Sequence, residues 1–204
     1  MRTRQIFPII DERIRSVGQT CAKEGEPIQC GPGCSECCYL LPAVTWEEAS
    51  LLADWIMELP APKRASMIGR VTDRAAHMRA LALSRPSWSA FSRPTRTQKE
   101  IPDSLCNEYF LTSRGCPFLI NKSCSAYSVR PTVCRLYVVT SKRSECSRKT
   151  GLEGQVVTPA PIERLQKKIL TEAQKFARDG RWGQLAVMVE AVLLEKTSAQ
   201  SAAA

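Results

Sequence analysis

Four cysteines fall within nine residues, Cys30-x3-Cys34-x2-Cys37-Cys38, in the segment IQCGPGCSECC. No other feature of the chain constrains its fold as much. Gly31, Pro32 and Gly33 keep this segment out of regular structure and let the backbone approach closely. Several sulfurs can then turn toward one centre with no hydrogen-bond ladder opposing them. Gly33 can supply the positive φ that a tight sulfur loop needs. Cys37 and Cys38 are adjacent, and neighbouring side chains on extended backbone diverge. Either they serve different ions, or one is a ligand and the other is structural or reactive. A looser second set follows, Cys116-x7-Cys124-x9-Cys134-x11-Cys146. Eight reduced thiols are an oxidation liability unless something holds them. The two sets are therefore expected to meet around one locus.

The compartment decides what such cysteines are for. The start, MRTRQIFPII, is basic then apolar, but the apolar stretch stops at Asp11-Glu12-Arg13. That is too short for a signal-peptide core, and no cleavage site follows. No apolar run approaches the ~18–20 residues of a membrane helix. The chain reads as cytoplasmic, with no membrane association. Thiol buffers there disfavour a disulfide framework, so the ten cysteines point to metal binding or redox work. The single histidine, His77, lies far in sequence from both sets, so any metal site is essentially sulfur-only.

A formal charge of +9 suggests nucleic acid at first sight,. A metal-bound cysteine, however, is a thiolate. Eight thiolates holding two zinc ions would bring the charge to about +5, and one four-iron cluster on four thiolates to about +7. From Arg114 to Lys149 there are eight Lys or Arg and one acid, Glu145, interleaved with four cysteines. Part of the basicity is then internal compensation for anionic sulfur.

Periodicity predicts a mostly α fold: amphipathic helices flanking an irregular, metal-organised, cysteine-rich centre, in a single domain 1–204. Ile10, Ile14, Val17 and Cys21 mark a helix over 9–24 stopped at Gly25, with Cys21 as a buried hydrophobe. Thr45 and Glu48 form a capping box opening a helix to about Leu59, and a third helix runs from about Lys63 to Leu83. Residues 84–104 are rich in Ser, Pro and Arg and read as a flexible loop. Trp88 and Phe91 in that loop, among Arg85, Arg93, Arg96 and Lys99, could stack on nucleic acid, although a solvated linker is preferred. Gly115 to Ile120 reads as extended, turning at Asn121-Lys122-Ser123, and Pro131 opens a short helix through Arg135. Two helices close the chain at about 161–179 and 183–196 within 158–196, and the tail TSAQSAAA is expected to fray. Cys106 precedes the second motif and is expected, like Cys21, to be a bystander.

Cys30-x3-Cys34-x2-Cys37 also matches the bare spacing of radical S-adenosylmethionine enzymes. Those enzymes need repeated strand–helix units, which are missing here, and Glu36 stands where an aromatic precedes the third cysteine. The segment CGPGCSECCYLLPAVTWEEASLLADWI, followed by CPFLINKSCSAYSVRPTVCRLY and Cys146, resembles the YkgJ-type cysteine-cluster family of zinc- or iron-chelating domains. The matches are Cys30, Cys34, Cys37, Cys38, Cys116, Pro117, Cys124, Tyr127, Arg130, Pro131, Cys134 and Arg135, across roughly residues 28–146. The resemblance implies metal binding more firmly than any reaction. A larger flagellin lysine methylase carries a similar cluster associated with an iron–sulfur centre, which favours iron, but its activity is not carried over.

The reading is therefore a metal-binding protein holding an iron–sulfur cluster or zinc. Its ligands would come from Cys30, Cys34, Cys37, Cys38, Cys116, Cys124, Cys134 and Cys146. Arg130 and Arg135, with Tyr127 beside them in the motif, are expected to hydrogen-bond or offset charge near the sulfurs. Ordinary pairing of both arginines with carboxylates is the alternative. Two other classes compete: a cluster-dependent redox or methyl-transfer enzyme, and a basic zinc protein binding nucleic acid, which is not favoured. No Ser/His/Asp set, phosphate-cradling motif or nucleotide fingerprint supports an assigned reaction. With few apolar stripes in 28–42 and 115–146, these segments are expected to depend on metal for their order.

Overall fold

The apolar stripe of the first helix begins earlier than its spacing suggests. Helix α1 spans Thr3–Lys23, taking in Pro8 and burying Phe7, Ile10 and Cys21. It ends at Gly25, whose φ of 83° lies in the left-handed region that stops a helix,. These features belong to a computed structural model that describes residues 3–31, 33–96, 103–112, 114–140, 146, 158–176 and 179–202. Pro32, the end of the expected loop at 97–102 including Lys99, and the basic residues on both sides of Cys146 lie outside the described residues.

The capping box is present. The Thr45 hydroxyl accepts from the Glu48 amide, and the Glu48 carboxylate accepts from the Thr45 amide, starting helix α2 (Trp46–Glu58). After Pro60 helix α3 (Ala61–Ser84) turns Met67, Val71, Ala75 and Met78 inward. The closing helices are α6 (Ala160–Phe176) and α7 (Leu185–Ala202). Helix α7 runs through most of the tail expected to fray. Its first turns, Leu185 to Val189, are buried on every face, because α2 and α3 both pack against it. Two three-residue strands are legible only in three dimensions. β1 (Ala43–Thr45) pairs antiparallel with β4 (Trp182–Gln184), tying the entrance of α2 to that of α7. Three residues are too few to show an alternation.

Two corrections concern 84–104. Pro86–Phe91 forms a 3-10 helix that buries Trp88 completely and Phe91 almost so. Together with Met78, Tyr109, Leu41 and Trp182 they make a second core cluster. Beyond them helix α4 (Asp103–Leu111) adds Leu105, Tyr109 and Phe110 to the interior. Apolar burial outweighs the loop-like composition, so these rings cannot serve as stacking platforms.

The second cysteine region is short and irregular, as expected. Leu119–Ile120 (β2) pairs with Ser123–Cys124 (β3) across a tight turn in which Asn121 and Lys122 have φ of 48° and 59°. Both central residues at positive φ match the hairpin turn whose twist suits antiparallel strands. Pro131 precedes helix α5 (Thr132–Leu136). α5 packs against α1, α6 and β1, and the turn at Tyr127–Val129 packs against α2, so the second cysteine region touches both the α2–α3–α7 bundle and the α1 and α6 helices. Phe118, Ala126 and Val129 reach into the bundle core, and Leu136, Val138 and Val139 are also buried. The expectation that hydrophobic burial supplies little across 115–146 is overturned for 115–140, since each buried Phe, Val or Leu there contributes about 1.5–3 kcal/mol. Within 28–42 it holds up to residue 40, and Leu41 is the one described hydrophobic side chain that is buried.

Among the described residues no helix is long and apolar enough to cross a membrane.

Candidate metal centre

Gly33 adopts the expected positive φ, 79°, and the Cys34 amide donates to the Gly31 carbonyl at 3.0 Å. The loop then enters a 3-10 helix, Glu36–Tyr39, carrying both adjacent cysteines. The backbone there is helical, not extended. At three residues per turn the two side chains leave the axis roughly 120° apart, and the Cys37 and Cys38 thiols still hydrogen-bond to each other. The start of the loop is pinned to the second region. Gln29 donates to the Val139 carbonyl at 2.9 Å, and the Val139 amide donates to the Cys30 sulfur at 3.4 Å.

The second motif meets the first directly. The Cys116 amide donates to the Cys38 carbonyl at 2.6 Å. Arg70 of α3 holds this stretch from behind: Nε donates to the Pro117 carbonyl at 2.7 Å and Nη2 to the Leu119 carbonyl at 2.6 Å. The β2–β3 pairing sets Cys124 opposite Leu119, and Cys116 and Cys124 both pack on the bundle core. Cys134 rides on α5, which is anchored by Glu48. That carboxylate, already closing the capping box, accepts from the Thr132 amide at 2.7 Å. One buried acid thus ties the first turn of α2 to the helix bearing Cys134.

Cys30, Cys34, Cys37 and Cys146 line one small recess of about 20 Å³, with Tyr137 and Val139 as its wall and Glu36 as its only carboxylate among the described residues. Cys116, Cys124 and Cys134 do not line that recess, and they interact electrostatically with one another and with Cys37. All ten cysteines are free thiols. Among the described residues, no three or more His, Cys, Asp or Glu side chains stand at ion-holding geometry. Gathering four sulfurs about one zinc at ~2.3 Å requires them to be ~3.8 Å apart, so the loops would tighten on loading.

Removal from water and mutual proximity keep these thiols protonated. The Cys37 thiol is raised above its usual range by its hydrogen bond to Cys38 and by burial. Desolvation pushes Cys116 up to about 12, lifts Cys124 and lifts Cys134 well above the ordinary value, with Cys116 and Cys37 adding. Cys146 rises to about 11, by burial and then by Cys30 and Cys34. Such a group of crowded, desolvated sulfurs is costly as bare thiolates and well suited to a soft or borderline cation that replaces the protons. The donor set thus fits zinc or iron and not a hard, oxygen-seeking ion.

The flanking arginines make their hydrogen bonds and ion pairs away from the sulfurs. Arg135 is almost wholly buried, yet its guanidinium is directed elsewhere. Nη1 pairs with Asp11 of α1, Nε and Nη2 donate to the Arg130 and Ser128 carbonyls, and the plane lies over Phe7 at 4.1 Å. Arg130 also reaches Asp11, at 3.9 Å, and stacks on the exposed Tyr127 ring at 4.0 Å. Arg135 thus bonds to carboxylate and backbone oxygen, and the carboxylate pairing of both arginines is the alternative weighed for them. Arg130 still lowers the Cys37 and Cys124 thiols by its charge, and Arg135 lowers Cys124. Arg74 of α3 was not singled out from the sequence. Its charge lowers Cys116, and its Nε and Nη1 are buried without a hydrogen-bond partner. Only its helical register, three residues after Val71, could have hinted at its inward face. Cys21 is buried in the α1 stripe. Burial pushes the Tyr137 phenol up to about 12, with Cys146, Cys37, Cys30 and, least, Cys106 adding. His77 is half-buried beside Tyr109, its rings 6.4 Å apart, and desolvation with Arg114 and Arg74 lowers its pKa.

No family profile, curated protein or solved structure matches the chain.

Proposed function

We propose that this protein binds a transition metal, as zinc or an iron–sulfur cluster, through cysteine sulfurs contributed by both sequence motifs. One observation carries the reading. Cysteines 78 to 116 positions apart, from Cys38 to Cys116 and from Cys30 to Cys146, are neighbours around the same recess and the same 3-10 turn. Sulfur-only surroundings, with the single imidazole elsewhere, suit a thiolate-held ion. The bound metal would supply the charge that lets these desolvated thiols ionise. The chain's own part is to hold them: Arg70 braces the Cys116 turn, Glu48 braces α5, and Arg74 and Arg130 moderate the negative charge. The resemblance to the YkgJ-type family points the same way. The nucleic-acid reading loses its aromatic platform, because Trp88 and Phe91 are core residues.

Purification without oxygen, followed by metal analysis and a visible absorption spectrum, tests this. Zinc gives a colourless, stoichiometrically loaded protein, and an iron–sulfur cluster gives broad visible absorption lost on oxidation. A reduced chain that takes up neither zinc nor a reconstituted cluster refutes it.

A further inference from the structure

We infer that the eight cysteines form two separate tetrathiolate ion sites that exchange members between the motifs: an outer site of Cys30, Cys34, Cys37 and Cys146, and an inner site of Cys38, Cys116, Cys124 and Cys134. This rests on the metal-binding reading and deepens it by stating how many ions are held, and by which sulfurs.

The division is geometric. The recess is lined by three cysteines of the first motif and one of the second, and none of Cys116, Cys124 and Cys134 reaches it. Those three belong to the hairpin and α5, with Cys116 and Cys124 packed on the bundle core. The first motif approaches them at Cys38, whose carbonyl takes the Cys116 amide at 2.6 Å. A 3-10 turn suits the split, because consecutive side chains leave it in different directions. Cys37 lines the recess, and Cys38, hydrogen-bonded to it and joined to the hairpin through its carbonyl, is the first-motif cysteine left to complete the inner site. Size argues the same way. About 20 Å³ is room for roughly one water-sized body, which is on the scale of a single ion. Each site takes one divalent ion of the zinc class, with four thiols each giving up a proton to solvent as the four metal–sulfur bonds form. The two sites adjoin, since Cys37 is within electrostatic reach of the inner sulfurs as well.

Titration of the reduced, metal-free full chain with Co²⁺ under anoxia reads the count from its thiolate charge-transfer and d–d bands. The expected saturation is at about two equivalents, with both ions tetrahedral and sulfur-bound. Cys146→Ser and, independently, Cys30→Ser should each halve the tetrathiolate signal and leave the inner ion. Cys134→Ser and Cys124→Ser should each halve it and leave the outer ion. Circular dichroism checks that each variant keeps its helices. Native mass spectrometry of the zinc-loaded wild type counts ions without relying on any variant. Saturation at one equivalent overturns the partition, as does loss of all bound metal from a folded variant of either group, even though metal binding itself would stand. Absence of any thiolate–cobalt band in the wild type overturns the metal reading, and the partition with it.

Discussion

Replacing Glu48 with Ala should be among the most damaging single changes outside the cysteines. Glu48 is 5 % exposed. Its carboxylate accepts from the Thr45 amide at 3.0 Å, the Thr45 hydroxyl at 3.3 Å and the Thr132 amide at 2.7 Å. Truncation leaves two backbone donors without partners, and Thr132 is itself 2 % exposed, so water cannot replace the lost bond there. Hydrogen bonds to a charged group are worth about 1.5–3 kcal/mol each, which puts the loss at about 3–5 kcal/mol. Glu48→Gln keeps the length and one good acceptor. It should retain the bond to Thr132 or the one to Thr45, at a cost of about 1–2 kcal/mol. Denaturant unfolding of the reduced chain gives the totals, and hydrogen exchange at the Thr132 amide shows where the damage lies. The expected pattern is accelerated exchange through 127–136 in Glu48→Ala, with α3 and α7 protected. A loss below ~1 kcal/mol for Glu48→Ala, or unchanged exchange at Thr132, would refute the idea that this carboxylate anchors the Cys134 helix.

Four further outcomes follow from the same geometry. Arg135→Ala removes the bonds to Asp11 and to the Arg130 and Ser128 carbonyls and should cost about 2–3 kcal/mol in denaturant unfolding, since Asp11 is partly exposed and keeps Arg130,; Arg135→Lys should rescue little of it, since one ammonium cannot replace the fork. Metal-free, reduced protein binds protons at Cys116 and Cys146 more tightly when folded, up to about 12 and about 11 against an ordinary 9.0. Its stability should therefore be level below pH 9 and fall as pH rises through 11 to 12, whereas the loaded protein should weaken on acidification as protons compete for sulfur. Stripping the metal should open 28–40 to proteases while 115–140 and the helices resist, because the second segment buries Phe118, Val129, Leu136, Val138 and Val139, whereas among its described residues 28–40 buries no hydrophobic side chain; equal cleavage of both would count against this. Arg74→Gln removes the cation that lowers Cys116, so alkylation of Cys116 near pH 8 should slow while circular dichroism stays unchanged.

What could be seen in advance was whatever is encoded locally. The α2 start is written in Thr45 and Glu48 because a capping box spans four residues, and the hairpin turn is written in Asn121 and Lys122 for the same reason. The Gly31-Pro32-Gly33 loop and the stripes of α1 and α3 are local as well, so the mostly α fold and the cysteine inventory follow from the sequence by itself. Trp88 and Phe91 mark where that reasoning stops. A segment rich in Ser, Pro and Arg looks like a linker until Tyr109 and Trp182 arrive from distant positions to enclose its rings. Arg135 pairs with Asp11, 124 residues away, and no spacing rule connects them. The β1–β4 pairing and the second role of Glu48 at Thr132 are of the same kind. The sulfurs divide along this boundary: sequence determines which cysteines are clustered, and only the tertiary structure decides which of them face the same recess. Loop closure over a hundred residues is set by core packing elsewhere in the chain, and that packing brings Cys146 beside Cys30 while leaving Cys134 outside the recess.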